Sequence, residues 1–107
     1  MSEATISVEP AAPKYGDKIT LTATVSGSGG KKSRISGRYV HDGGTSVSYS
    51  PYHAGDGTYS DDVGLYAPNW PSGAAHAFII CELLVKSTRS GKQFWDVIGT
   101  LEFEVAA

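Results

Sequence analysis

The sequence predicts an all-β protein, an antiparallel sandwich of about seven strands without helices. Three observations carry that expectation. The first is Ala77 to Lys86, Ala-Phe-Ile-Ile-Cys-Glu-Leu-Leu-Val-Lys, the longest apolar run in the chain. Ala77, Ile79, Cys81, Leu83 and Val85 share one parity, and Phe78, Ile80 and Leu84 share the other, interrupted only by Glu82. A strand apolar on both faces belongs in the middle of a sheet. The second is strict alternation over Lys18 to Ser26: Ile19, Leu21, Ala23 and Val25 point one way, and Thr20, Thr22 and Thr24 the other. The third is a turn signal roughly every ten residues, the spacing of short sandwich strands.

Composition agrees. Charged residues make up 19% of the chain and there are 13 glycines, while no stretch sets Ala, Leu, Glu and Lys at helical spacing. With 107 residues the chain is expected to be one domain, 1–107, and such a domain buries roughly two-thirds of the surface its unfolded chain exposes. A net charge of -2 and a pI near 5.8 argue against general nucleic-acid binding. No apolar run is long enough to cross a bilayer as a helix. Cys81 is the only cysteine, so no internal disulfide can form, and its place in the most apolar strand suits a small core hydrophobe. The opening Met-Ser-Glu-Ala lacks the basic and apolar regions of a signal peptide, so synthesis in a reducing cytosol is expected.

Taken in order, Thr5 to Glu9 is a short strand with Ile6 and Val8 on one face, stopped by Pro10 and Pro13. Gly16-Asp17 turns the chain into the alternating strand Lys18 to Ser26. Gly27 to Ser33 is expected to be a flexible loop. It is no phosphate-binding loop, because Gly30-Lys31 is followed by Lys32 rather than Ser or Thr and no helix pattern comes next. Arg34 to His41 is a third strand with Ile35 and Tyr39 inward, and Asp42-Gly43-Gly44 turns it into Thr45 to Tyr49. After the loop Pro51 to Gly57, Thr58 to Tyr66 is the fifth strand; Asp61 shares the parity of Tyr59, Val63 and Leu65, which predicts a bulge or a change of register near Asp61-Asp62. Ala67 to Gly73 is a proline-rich crossing loop, and Ser87 to Lys92 a hairpin turn. The last strand sets Trp95, Val97, Leu101, Phe103 and Val105 on one inward face, with Gly99 as a bend.

Pro13 to Val25 (Pro-Lys-Tyr-Gly-Asp-Lys-Ile-Thr-Leu-Thr-Ala-Thr-Val) and Gly55 to Ser60 (Gly-Asp-Gly-Thr-Tyr-Ser) resemble the second and fifth strands of immunoglobulin-like domains of the bacterial-surface, filamin and phage-virion kinds. The resemblance implies an immunoglobulin-like sandwich over 1–107. The paired cysteines of antibody domains and a tryptophan in the third strand are missing, which argues against the antibody-type superfamily.

No constellation for catalysis stands out, and no cofactor or metal is expected. His41, His53 and His76, with Asp42 and Asp56, lack the spacing of a zinc site. Asp56, Asp61 and Asp62 lack the ligand pattern of a calcium loop, and no Gly-x-Ser-x-Gly elbow occurs. Trp70, Trp95, Tyr52, Tyr66 and Phe94 could form a platform for sugar rings, with core packing the alternative for Trp95 and a partner contact or a core cap the alternatives for Trp70.

Most of the nine basic residues cluster in two places: Lys31, Lys32, Arg34 and Arg38 around the second loop, and Lys86, Arg89 and Lys92 around the last hairpin. In an immunoglobulin-like sandwich these loops share one end, so a basic tip is expected on a mildly acidic body. Either the tip is merely solvated, or Lys31, Lys32, Arg34, Arg89 and Lys92, with Trp70, bind an acidic protein partner. The strand pattern starts near Met1 and ends close to Ala107, as in a complete small protein. The resemblance and the missing export signal together predict a non-enzymatic structural or decoration protein of a tailed-phage virion. Such a protein would be made in the host cytoplasm and bind a capsid or tail protein or sister subunits, without nucleic acid or membrane. The alternatives are an excised repeat of an extracellular, cell-surface bacterial adhesin or filamin-like protein, and a polysaccharide-binding module.

Overall fold

A computed structural model describes residues 2–66 and 73–107. Among the described residues eight strands run in order: β1 (Glu3–Glu9), β2 (Lys18–Ser26), β3 (Lys32–His41), β4 (Gly44–Tyr49), β5 (His53–Ala54), β6 (Gly57–Gly64), β7 (Ala75–Lys86) and β8 (Gln93–Val105). They form two antiparallel sheets, a small one in the order β1-β2-β6 and a large one in the order β4-β3-β7-β8, with β5 pairing onto β3. The additional strand is β5, two residues inside the expected Pro51 to Gly57 loop. The expected crossing loop, Trp70 included, falls almost wholly outside the described residues.

The core lies between the sheets and is made by the predicted parities. Ile19, Leu21, Ala23 and Val25 of β2 face Ile35 and Tyr39 of β3 and Ala77, Ile79 and Cys81 of β7, and all of these are buried. Complete burial of one such aliphatic side chain stabilises by about 1.5–3 kcal/mol. On the opposite parity of the small sheet, Thr20 bonds to Asp62, Thr22 to Ser60 and Thr24 to Thr58 across the β2–β6 pair at 2.8–3.0 Å. This outer face is a ladder of hydroxyls that satisfy one another beside water.

β7 is the middle strand expected from its two apolar parities, flanked by β3 and β8. Its second parity, Phe78, Ile80 and Leu84, is covered by neither sheet and forms the outer surface of the large one.

β8 departs from expectation. Cys81 lies opposite Gly99, but Glu82 lies opposite Val97, so Ile98 is an extra residue that inverts the phase of the strand. Leu101, Phe103 and Val105 keep their inward parity, whereas Trp95 and Val97 stand on the outer surface with Leu84 and Glu82. Gly99 is thus part of a bulge. A Cβ there would run into the carbonyl of Ala4, which is how β8 closes against β1.

Neither the bulge nor the change of register expected near Asp61-Asp62 is present. The β2–β6 register runs unbroken from Lys18 opposite Gly64 to Val25 opposite Gly57, and Asp61 faces inward opposite Leu21. Among the described residues β6 is a sheet edge, where an inward carboxylate still reaches water. The loop over 27–33 is also more ordered than its glycines suggest. Ser28 is 1% exposed, and its N–H and hydroxyl both donate to Asp56 Oδ1, at 2.8 and 2.6 Å. Those two bonds hold the Asp56 carboxyl below the usual range.

Candidate interaction face

The outer surface of the large sheet collects the exposed apolar groups. Val47 and Tyr49 of β4, Val40 of β3, Phe78 of β7 and Val97 of β8 are 38–61% exposed, and each pairs across the ladder with a residue of the same outward parity. Val47, Tyr49, Phe78 and Ile80, with Ser36 and Arg38, line a shallow groove of about 280 Å3 along the middle of this face.

Toward the β7–β8 hairpin the groove meets a row of rings and cations. The Arg34 guanidinium lies 4.0 Å from the ring centre of Trp95 and 4.8 Å from that of Tyr49, and its Nε donates to Glu82 at 3.2 Å. Tyr52 lies against Trp95 at 5.6 Å, and Lys32 Nζ stands 5.6 Å from the Tyr52 ring centre. Arg34 and Glu82 are 20% and 12% exposed. A charged pair withdrawn this far from water holds only when each member is satisfied, and here Glu82 and two ring faces satisfy the guanidinium. The order Lys32–Tyr52–Trp95–Arg34–Tyr49 is therefore preformed.

The basic residues divide between this row and the nearby loops. Lys31, Lys32, Lys86, Arg89 and Lys92 are exposed. The start of β3 pairs beside the end of β7, with Ser33 opposite Leu83, so the loops that carry these residues lie at one end. Arg34 is no loose charge of that tip, because its head group is fixed between rings and Glu82. Arg38 stands mid-sheet, opposite Phe78 and Val47. Trp70 lies outside the described residues. Trp95, expected inward, is a member of the row, and the bulge at Ile98 puts it there.

At the opposite end of the face the charge is mixed. His76 Nδ1 lies 2.6 Å from Glu104, and Nε2 lies 3.2 Å from Glu102. Hydrogen bonding to Glu104, then the charges of both carboxylates, pushes the imidazole above its ordinary value. His41 Nε2 lies 2.8 Å from Ser46 Oγ inside the β3–β4 hairpin, and His53 stacks on Tyr59 at 4.6 Å. The three histidines thus stand in three places, and no group of three His, Cys, Asp or Glu among the described residues could hold a metal ion. Tyr59 reaches inward to Ser33 and to Cys81 Sγ, and burial pushes its phenol up to about 12.

No family model matches the chain, and no curated protein matches it. Among solved structures it is similar to the Pseudomonas fluorescens alkylpurine DNA glycosylase AlkC, bound to DNA containing an abasic-site analog, with a TM-score of 0.57 and 14% identity. The match covers 99% of this chain and 30% of the glycosylase chain. At that identity the likeness is one of fold, to a part of a longer protein.

Proposed function

We propose that the chain is a non-enzymatic, immunoglobulin-like interaction module that docks the outer face of its large sheet onto an acidic protein surface. Within that reading, its setting is a tailed-phage particle, as a structural or decoration protein attached to capsid or tail. The observation that carries the docking role is the uncovered row from Lys32 to Tyr49 beside the Phe78 groove. Apolar side chains, rigid rings and desolvated arginine on one surface are the anchors from which protein interfaces draw most of their energy. Exposed lysines and arginines at the hairpin end and Glu102 and Glu104 at the other give the face a charge gradient that would fix the partner's orientation. The immunoglobulin-like assignment is supported by the strand order β1-β2-β6 over β4-β3-β7-β8 and by the motifs Pro13 to Val25 and Gly55 to Ser60. The virion setting rests on the resemblance of those motifs.

The test is recovery of the protein from its source particle or cell, with light scattering and identification of what co-purifies. Recovery in many copies with a capsid or tail protein, weakened by salt and by charge reversal at Lys31, Lys32 and Arg89, is the expected result. A monomer that carries no virion protein overturns the virion setting. DNA containing an abasic-site analog, to which the glycosylase is bound, and a polysaccharide array serve as competing probes. Tight binding of either one, lost in Tyr52→Ala, would replace the protein partner.

A further inference from the structure

On one side of the molecule both sheets end in a strand with an open edge. Among the described residues β6 pairs only with β2, and β4 only with β3. Between these edges lies a cleft of about 430 Å3 lined by residues 46–49 of β4 and 61–64 of β6, with the buried Tyr39 beneath. The link from β4 to β6 could have supplied a further strand beside β6. It forms only the two-residue β5, and that pairs with β3. The inward residues Tyr59, Asp61 and Val63 of β6 consequently stay half-buried, whereas Ile19, Leu21, Ala23 and Val25 of β2 are 0–2% exposed.

The cleft is polar where a sandwich interior is ordinarily apolar. Ser46 and Ser48 share the inward parity of β4, opposite Tyr39 and Gly37, and Asp61 enters from β6. Asp62 turns the other way, to Thr20 and Lys18. Among the described residues, no cation lies within ion-pair distance of Asp61. Partial withdrawal from water, and then the charge of Asp62, push its carboxyl above the usual range.

An open edge presents unpaired backbone N–H and C=O groups, and an added strand satisfies them while alternate side chains enter the sandwich. The side chain opposite Asp61 would sit against a carboxylate at reduced dielectric, among hydroxyls and beside tyrosine. A long basic side chain meets all of these by charge, reach and donor count. We propose that the β6 edge receives an extended segment of a partner protein, which adds as a further strand to the small sheet and places a lysine or arginine beside Asp61. The added strand would pair at the β6 edge, whereas Val47 and Tyr49 of β4 border both this cleft and the outer groove, so protection of β6 and protection around Phe78 are read separately.

The experiment selects binders to the full chain from a displayed library of alternating peptides, randomised at every second position. Selected peptides are expected to share one basic position. When bound, they should slow hydrogen exchange at those β6 amides that do not bond to β2. Asp61→Asn should weaken them by about tenfold or more, the loss expected when a partly buried charge is left unpaired. It should also leave the melting temperature unchanged or raised, because a carboxylate poorly solvated in the fold is removed. Asp61→Lys should reverse the preference toward peptides with glutamate at that position. Failure to select any binder, a selected set without a basic position, indifference to Asp61→Asn, or protection confined to the strands around Phe78 would each overturn the proposal.

Discussion

The two outer faces of this molecule are built from the same strand geometry and are prepared for different surroundings. On the small sheet, Thr20, Thr22 and Thr24 meet Asp62, Ser60 and Thr58, so each polar group finds a neighbour or water and nothing apolar is left over. On the large sheet, Phe78, Val47 and Tyr49 stand in solvent, and the charged pair Arg34–Glu82 is fixed among rings. The contrast teaches that a strand apolar on both parities can sit in mid-sheet with its second parity, Phe78, Ile80 and Leu84, left on the outer surface, and this is the basis of the proposed docking face.

The comparison is broken most severely at the bulge. Gly99→Val puts side-chain atoms into the carbonyl of Ala4, a backbone group that cannot turn aside, and is expected to cost about 3 kcal/mol or more in urea denaturation. Next comes Arg34→Ala, which leaves Glu82 unpaired at 12% exposure; about 2–3 kcal/mol of lost stability is expected, and Glu82→Gln in the same background should restore much of it. If Arg34→Ala melts like the parent, the row is an incidental contact and the contrast between the faces weakens. Paired substitutions sharpen it: Phe78→Ser on one face and Thr22→Val on the other should each shift stability by no more than about 1 kcal/mol, but only the first should weaken partner binding. The smallest effect is at His76. Its folded pKa is raised, so its contribution is fully present below the unfolded value and is lost as pH rises through the folded one. His76→Gln should flatten stability across that window, and an imidazole NMR titration at the ordinary histidine value would remove the basis for the effect.

Much of the fold is legible in sequence because period two is a local signal. Ile19 to Val25 declared its faces without reference to any other strand, and so did Ile35 with Tyr39. What could not be read depends on partners far along the chain. Trp95 and Val97 share odd numbers with Leu101, Phe103 and Val105, and only the pairing of β8 with Cys81 and Glu82 reveals that Ile98 is inserted between the two sets. The signal available was Ile98-Gly99 itself, an apolar residue out of phase beside a glycine. Arg34 reads as a member of a basic loop because Tyr49, Glu82 and Trp95, which hold it, come from three other strands. Asp61 is the opposite case: its parity is anomalous in the sequence, and the structure keeps the register and sets the carboxylate inward on β6, which among the described residues is an edge strand. Ser28 and Asp56 show the same limit: glycines around Ser28 suggested freedom, and the group that removes it lies on the far side of β5.

The extra residue at Ile98 also makes the last strand divisible. Beyond it, Leu101, Phe103 and Val105 belong to the interior and are constrained by packing; before it, Trp95 and Val97 belong to the surface and are constrained only by what they touch there. The two halves can vary under separate rules within one continuous strand. Substitutions in Gln93 to Val97 and the adjoining hairpin would change the outer surface, while the stretch from Thr100 onward preserves the architecture.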